Sequence, residues 1–241
     1  MNDLIVSFAV RNGRVVGLRR LLSQVSDHGQ LSTQTMNLLL RDLKDIAADD
    51  VRAIIRARTG EASVSRRPLV PQAPRLVVSA NPLKDQRERP NIPGADASWL
   101  STQLQVVTAD GAHEGLLHAH DGGIVGALGA ALVVVLGDTI AISSHPDTTP
   151  SVILDELVDL LRMEGIAIRH LPTGFTLAQL RTNETWLVSP VSGVRRVDSW
   201  LEYGTVVPAP HMPPASPVPS AEELNAQLTR VAEPVAQCEA I

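Results

Sequence analysis

The chain has 241 residues, 44% of them apolar, and a formal net charge of −5. This length can bury one large core or two modest ones, and the acidic balance argues against a general nucleic-acid-binding protein. Residues 124–136 form the longest apolar stretch, which is shorter than the ~20 residues of a membrane span. The single cysteine, Cys238, excludes a disulfide framework and favours a reducing compartment. We therefore expect a cytoplasmic protein without a signal peptide and without a membrane or nucleic-acid partner.

Residues 1–60 predict a small α+β domain. Asn12-Gly13 lies between apolar runs and is typical of a hairpin, because both central residues of a type I′ turn need positive φ. Helices are expected from Leu18 to Val25 and from Thr33 to Ala48, the second with Ser32 or Thr33 as N-cap. Residues 51–57 alternate apolar residues with arginines, which predicts a strand with one solvated face.

A linker is predicted over residues 61–74, where arginines and prolines are frequent. The surrounding segment, residues 52–89, holds nine Lys or Arg against three acidic residues. We interpret it as a solvated or interdomain face, with anion binding as the alternative.

Residues 75–205 predict a larger α/β domain with several strands and a long helix. That helix is expected to start at Pro150, capped by one of residues 147–149, and to end near Met163. Six prolines between residues 208 and 219 then predict that residues 206–241 form a mobile C-terminal segment, in which only residues 221–231 are helical. We expect its removal to leave the melting temperature of the core unchanged.

Four short segments resemble motifs of one enzyme family, in the same order. GAHEGLL (residues 111–117) is similar to GADEALLLDEDG, and RPNIPGAD (residues 89–96) to the RP-x-IKGPD run that carries a Schiff-base lysine. PSVI (residues 150–153) resembles the phosphate-binding P-G-I-T turn, and SGVRRV (residues 192–197) the H-G-I-R-P-V turn. With the opening NGRVVGL (residues 12–18), the resemblance covers about residues 4 to 200.

These motifs identify a resemblance to the class IV pyridoxal-phosphate-dependent aminotransferases. That family includes branched-chain and D-amino acid aminotransferases and 4-amino-4-deoxychorismate lyases. The resemblance implies an α+β, two-domain fold like that of D-amino acid aminotransferase, a homodimer, and pyridoxal 5′-phosphate as the family cofactor. In the family a lysine forms an aldimine with the cofactor and moves the substrate proton. An arginine and a threonine hold the cofactor phosphate, and a glutamate pairs with the pyridine nitrogen.

Carried over by position, every one of these charged contacts is absent. The arginine becomes Gln24, the lysine Pro93, the glutamate Gly126 and the threonine Ile153. Neither lysine of the chain, Lys44 or Lys84, falls at the expected place. Backbone N–H groups at the two turns could still hold a small anion or phosphate. The resemblance thus implies a vestigial cofactor pocket formed by Gln24, Pro93, Gly126, Ser151, Val152, Ile153, Ser192, Gly193 and Val194, with Arg195 as a substrate-binding residue.

Two functions remain open. The first is a catalytically inactive homologue with a binding or regulatory role and no covalently bound cofactor. The alternative is an active 4-amino-4-deoxychorismate lyase or aminotransferase with a rearranged site. A metal site at His118, His120 and Asp121 is disfavoured because no further ligand is placed by the sequence. Gly123, Gly126 and Gly129 favour tight turns over a nucleotide loop, since a strand and not a helix follows them.

Overall fold

The computed structural model describes residues 3–213 and 216–239. Within them the chain forms helices, strands and a final 3-10 turn at Val235–Gln237. The helices are α1 (Leu18–Gly29), α2 (Thr33–Ile46), α3 (Ala97–Ala109), α4 (Val152–Met163), α5 (Leu177–Thr182) and α6 (Ala221–Val231). The strands are β1 (Leu4–Val10), β2 (Arg14–Val15), β3 (Val51–Arg58), β4 (Glu61–Pro68), β5 (Val77–Lys84), β6 (Glu114–His118), β7 (Ile124–Ala127), β8 (Ala131–Leu136), β9 (Thr139–Ser143), β10 (Ala167–Leu171), β11 (Thr185–Ser189), β12 (Gly193–Arg196), β13 (Ser199–Glu202), β14 (Thr205–Pro208) and β15 (Glu233–Pro234). None of the described helices is both long and apolar enough to cross a membrane.

The N-terminal sheet has the strand order β1-β3-β4 and is antiparallel. Its period-two pattern buries Val51 and Ile55 against α1 and α2 and leaves the intervening arginines in solvent. The predicted turn is confirmed, since Asn12 and Gly13 have φ values of 50° and 69°. Ser32 caps α2 as expected and accepts a hydrogen bond from the Thr35 N–H at 3.1 Å.

Residues 61–68, predicted as part of a linker, instead form β4. This strand pairs with β3 from Glu61 opposite Arg58 to Pro68 opposite Val51. Ala62 and Val64 pack on the N-terminal core, and this alternation makes the segment a strand despite its arginines. The prediction of a linker from residue 61 is therefore wrong at its first eight residues.

The rest of the chain builds two five-stranded sheets, with orders β10-β9-β8-β11-β12 and β14-β13-β5-β6-β7. The sheets pack face to face, because alternate residues such as Val134 and Leu187 join one cluster with Val78, Leu116 and Trp200. Helices α4 and α6 cover the outer face of the first sheet. Helix α3 covers the outer face of the second. Helix α4 begins at Val152, later than predicted, and Ser151 rather than residues 147–149 is its N-cap.

The described part of the C-terminal segment, residues 206–213 and 216–239, packs on the body, contrary to the mobile segment predicted over 206–241, of which residues 214–215 and 240–241 lie outside the described residues. Leu224 and Leu228 of α6 are buried in the cluster that contains α4. Strand β15 pairs with β2, and Val235 and Cys238 join the N-terminal core. The helix predicted over residues 221–231 is confirmed. The prolines terminate regular structure, but apolar residues spaced between them supply enough contacts to fix the segment.

Candidate functional site

A cavity of about 220 Å³ lies where the N-terminal sheet meets the loops of the larger region. Strand β1 and helix α1 form one wall. The opposite walls come from residues 87–96, from the turn at residues 125–131, and from the entry to α4 at residues 148–152. Most of the side chains are apolar, as in sites for small molecules.

Five residues of the predicted pocket line this cavity, although they are far apart in sequence. They are Gln24, Pro93, Gly126, Ser151 and Val152. Ile153, which follows them on α4, is instead buried in the core beneath the helix. The structure therefore brings the first set together, while its role in binding stays a prediction.

The second predicted turn, at residues 192–195, lies outside the cavity lining. Its backbone is occupied by α6: the Val194 N–H donates to Asn225 Oδ1 at 2.9 Å, and Asn225 Nδ2 donates to the Val194 carbonyl at 2.7 Å. A Cβ atom at Gly193 would lie 2.2 Å from Asn225 Oδ1. The Ser192 hydroxyl pairs with that of Ser189 at 2.8 Å. The Val194 N–H, which was expected to bind an anion, is thus hydrogen-bonded to the C-terminal segment.

Arg195, predicted to bind substrate, also points elsewhere. Its guanidinium donates to the Ala73 carbonyl at 2.6 Å and to Gln72 Oε1 at 3.3 Å. Burial lowers the pKa of Arg195 from its usual value. These contacts join β12 to the chain before β5, so Arg195 has a structural position outside this cavity.

Pro93 is fixed on the cavity wall by its backbone. Its carbonyl accepts a hydrogen bond from the Ile5 N–H of β1 at 2.9 Å. Gly94 has a φ of 73°, and a Cβ atom there would lie 2.3 Å from the Ile5 carbonyl oxygen. Only glycine allows so close an approach of this loop to β1.

Charged residues that the motifs did not indicate also line the cavity. Arg87, Arg89 and Asp96 belong to the loop before α3, and Thr148 and Thr149 precede α4. Asp96 accepts the backbone N–H groups of Glu88 and Arg89 at 3.2 and 3.1 Å. Its carboxylate therefore shapes the loop.

Arg87 of the cavity wall is held by several hydrogen bonds. Its Nε donates to both carboxylate oxygens of Asp85, at 2.9 and 3.0 Å, and Nη2 donates to Asp85 Oδ2 at 2.6 Å. Nη2 also donates to the Asp147 carbonyl at 2.8 Å, and Nη1 donates to the Thr149 hydroxyl. The Arg87 and Asp85 side chains are only 6% and 7% exposed. This buried pair holds the entry to α4 against the loop that carries Pro93.

Glu114 supports the turn at residues 125–131 from behind the cavity. Its carboxylate accepts the N–H groups of Gly115 and Gly129 at 3.1 and 3.3 Å, and also that of Leu128. Burial raises the pKa of Glu114 to about 7, against the opposite effect of these hydrogen bonds. The shape of the turn thus depends on an acid that titrates near neutral pH.

Because the pKa of Glu114 is raised, we expect this residue to make the protein less stable as pH rises. In the unfolded chain this acid ionises near its ordinary pKa of 4.5, and in the folded protein near 7. Below the lower value both states are protonated and the shift has no effect. Above about pH 7 the full difference opposes folding, about 3 kcal/mol. In denaturant titrations between about pH 5 and pH 8, Glu114→Gln should flatten this loss, whereas Glu222→Gln, on the exposed face of α6, should leave it. An unchanged slope in Glu114→Gln would contradict the assignment.

Among the described residues, no group of three His, Cys, Asp or Glu side chains is arranged to hold a metal ion. His118 Nδ1 lies 3.0 Å from the Ala119 carbonyl. Asp121 Oδ2 lies 3.2 Å from His145 Nε2. The hydrogen bond from the Gly123 N–H, and then this histidine, lower the pKa of Asp121. Of the metal site that the sequence disfavours, His118 and Asp121 are therefore used in local contacts.

The cavity does not fit pyridoxal phosphate in the manner of the family. Among the residues described as lining it, no lysine is present, and its one carboxylate, that of Asp96, is hydrogen-bonded to the backbone. Lys84 ends β5 opposite His118 and is not part of the lining. A cofactor in this cavity would lack the lysine amine that anchors it in the family and the family's arginine and glutamate at their usual positions.

Comparison with known protein families and with curated proteins finds no match. Solved structures do match. A branched-chain amino acid aminotransferase from Escherichia coli has a TM-score of 0.74 and 13% identity, covering 98% of this chain and 90% of its own. A hypothetical aminotransferase from Mycobacterium tuberculosis, in its PLP-bound form, has a TM-score of 0.72 and 14% identity, covering 95% of this chain and 87% of its own.

A 4-amino-4-deoxychorismate lyase from Pseudomonas aeruginosa has a TM-score of 0.68 and 20% identity, covering 95% of this chain and 91% of its own. At such identities the agreement concerns the arrangement of the backbone. It extends over nearly the whole length of each protein. The chain therefore has the α+β fold of the class IV aminotransferases and aminodeoxychorismate lyases.

Proposed function

We propose that this protein is a catalytically inactive homologue of the class IV enzymes, with a binding or regulatory role centred on the cavity. The observation that carries the proposal is Pro93, which lies on the cavity wall where the resemblance places the Schiff-base lysine. A proline has no amine to form an aldimine or to move a proton. Gln24 and Gly126 line the same cavity without the charges that hold the cofactor in the family.

The free energy of the lost hydrogen bonds supports cofactor binding that is at most weak and non-covalent. A hydrogen bond to a charged group contributes about 1.5 to 3 kcal/mol, so the loss of two charged partners costs about 3 to 6 kcal/mol. This corresponds to a roughly hundredfold to ten-thousandfold weaker affinity. The N–H groups at the start of α4 favour a small anion or phosphate as the ligand that the cavity retains.

The experiment is to incubate the protein with excess pyridoxal phosphate, record the visible spectrum, reduce with borohydride and map the labelled peptides by mass. We expect no internal-aldimine band and no adduct. Pro93→Lys should form an adduct with little turnover, because the cofactor phosphate and ring still lack their charged partners. Asn91→Lys is the matched control, since residue 91 lies in the same loop outside the cavity lining.

Labelling of Lys44 or Lys84 in the unaltered protein, together with turnover of an amino acid or of aminodeoxychorismate, would overturn this proposal. It would favour the alternative, an active lyase or aminotransferase with a rearranged site. We also propose that the protein is a cytoplasmic homodimer, as its single cysteine and the family resemblance suggest.

A further inference from the structure

The loop between β9 and α4 is folded around the side chain of His145. This side chain is only 10% exposed. Its Nδ1 accepts the backbone N–H of Asp147 at 3.0 Å, so in the neutral ring the proton is carried by Nε2. Nε2 lies 3.2 Å from Asp121 Oδ2 and donates to it. These two contacts fix one tautomer of a neutral imidazole.

The backbone of His145 closes the same loop. Its N–H donates to the Ser143 hydroxyl at 3.2 Å, and its carbonyl accepts the N–H of Thr148 at 2.9 Å. The hydroxyl oxygens of Ser143 and Thr148 lie 2.6 Å apart. The side chain and the backbone of His145 therefore set the conformation of residues 143–148.

This loop leads into the cavity wall at the entry to α4. Thr148 and Thr149 belong to the described lining of the cavity, and His145 does not. The Asp147 carbonyl accepts a hydrogen bond from Arg87 Nη2 at 2.8 Å, and the Thr149 hydroxyl accepts one from Nη1. His145 thus acts on the wall through Asp147, whose N–H it holds and whose carbonyl meets Arg87.

His145 also connects this wall to a second one. Asp121 lies in the turn between β6 and β7, where its Oδ1 accepts the Gly123 N–H at 3.0 Å. From this turn β7 runs directly into residues 125–131, which form another wall of the cavity. A change at the imidazole can therefore reach both walls.

A proton on Nδ1 is incompatible with these contacts. Histidine gains its second ring proton within about pH 5 to 8. Both ring nitrogens are then donors, so Nδ1 can no longer accept the Asp147 N–H. The acceptor nearest to the new N–H is Asp147 Oδ2, 3.8 Å from Nδ1. Exchange of one hydrogen bond for the other turns the Asp147 peptide group, and with it the carbonyl that meets Arg87.

Two carboxylates decide how the new positive charge acts. Asp121 and Asp147 both lie within 4 Å of the ring, so they offset the charge of a protonated imidazole and leave little attraction for an anion in the cavity. Displacement of the wall then has the larger effect. The elements around the loop carry further titratable groups: Asp85 and Arg87 before α3, His118 and His120 before Asp121, Asp155 in α4, and Arg169 and His170 on β10.

We propose that His145 positions the cavity wall at residues 148–152, and that a proton on its imidazole releases this wall and weakens the binding of an anion in the cavity. This inference rests on the binding role proposed above and adds its regulation by pH. His145 is a positioning residue, because it acts on the ligand through Asp147 and the threonines.

The test compares the unaltered full-length protein with His145→Asn and His145→Gln. The Oδ1 of asparagine takes the position of Nδ1 and accepts the Asp147 N–H without titrating. Glutamine places its amide near Nε2 and serves only Asp121. Inorganic sulfate is the probe, since it stays doubly charged throughout the range in which histidine titrates. Glu114 and the other titratable groups are common to all three proteins, so their comparison at one pH isolates His145.

Isothermal titration calorimetry measures the affinity for sulfate. At about pH 7.5 the unaltered protein and His145→Asn should bind equally, because both accept the Asp147 N–H. At about pH 5.5 the unaltered protein should bind about fivefold more weakly than His145→Asn, as expected for one lost hydrogen bond. His145→Gln should bind weakly at both pH values. His120→Asn, an exposed histidine in the same turn as Asp121, should behave as the unaltered protein.

Equal affinities of the unaltered protein and His145→Asn at both pH values would overturn this inference and leave the binding role intact. Tighter binding by the unaltered protein at the lower pH would also overturn it, because charge would then outweigh position. Absence of sulfate binding at every pH would overturn the inference together with the anion-binding part of the proposed function.

A second measurement needs no ligand and no variant. In amide NMR spectra of the unaltered protein, the resonances of Asp147, Thr148 and Thr149 should shift together between about pH 8 and pH 5, in step with the His145 ring. Resonances that stay in place while the ring titrates would contradict the release of the wall. Circular dichroism shows whether each variant is folded.

Discussion

A chain that ends after Pro208 is expected to be unfolded or only marginally stable at room temperature. Among the described residues, this deletion removes four large apolar residues that are at most 3% exposed: Val218, Leu224, Leu228 and Val235. Each contributes about 1.5 to 3 kcal/mol by its burial, so the loss is about 6 to 12 kcal/mol. A typical domain has a total stability of about 5 to 15 kcal/mol. Thermal unfolding followed by circular dichroism measures the effect.

The deletion also removes the polar contacts that fasten the segment to the body. Asn225 binds both backbone groups of Val194. The Met212 N–H donates to Glu184 Oε2 at 2.7 Å, while the other oxygen of this buried carboxylate accepts the indole N–H of Trp186 at 2.6 Å. Without the segment, Glu184 keeps its hydrogen bond with Trp186 but loses the one with Met212. This loss adds to the free energy lost with the apolar contacts.

A point variant separates packing from chain length. Leu224→Ala should lower the free energy of unfolding by about 2 to 5 kcal/mol, since the side chain is fully buried between α6 and the first sheet. Glu222→Ala, two residues earlier and exposed, should change it by less than about 0.5 kcal/mol. A shortened protein that unfolds at the temperature of the full chain would instead favour the mobile segment predicted from the prolines.

Local signals in the sequence predicted local structure well. The Asn12-Gly13 turn and the Ser32 cap follow from the dihedral angles and hydrogen bonds of a few neighbouring residues. The helix at residues 221–231 was recognised from its own pattern. These features need no knowledge of the rest of the chain, which is why the sequence alone predicts them.

Long-range contacts explain what was missed. Strand β4 looks like a basic linker until β3 is placed beside it, and Ala62 and Val64 then find a core. Prolines dominate the composition of the C-terminal segment, but its position depends on a few apolar side chains that meet distant partners. Val235 packs in the same cluster as residues near the N-terminus, and no local pattern reveals that contact.

The residues of the cavity also divide into those that the sequence indicated and those that depend on long-range contacts. The family motifs, not composition or periodicity, placed Gln24, Pro93 and Gly126 on one pocket, and the structure places all three along one cavity. The sequence did not indicate that Arg87 belongs to the cavity wall. Its hydrogen-bond partners Asp147 and Thr149 lie 60 and 62 residues further along the chain. Within its own segment it is one of many basic residues.

Substitution of Arg87 is expected to have the second large effect on stability. Arg87→Met is expected to lower the free energy of unfolding by about 3 to 5 kcal/mol, because it leaves the buried Asp85 carboxylate without its charged partner. The Asp147 carbonyl and the Thr149 hydroxyl lose a donor at the same time. Chemical denaturation monitored by circular dichroism measures the loss.

Arg41→Met is the matched control, since Arg41 also pairs with a nearby aspartate, Asp42, but is 66% exposed. Its effect should be within about 0.5 kcal/mol, as for most surface changes. The double change Asp85→Leu/Arg87→Met should cost less than Arg87→Met alone, because no buried charge then remains unpaired. If Arg87→Met and Arg41→Met cost the same, the clamp between the Pro93 loop and the start of α4 does not contribute to stability. If the double change recovers stability, Asp85 is the reason that Arg87 cannot be removed alone.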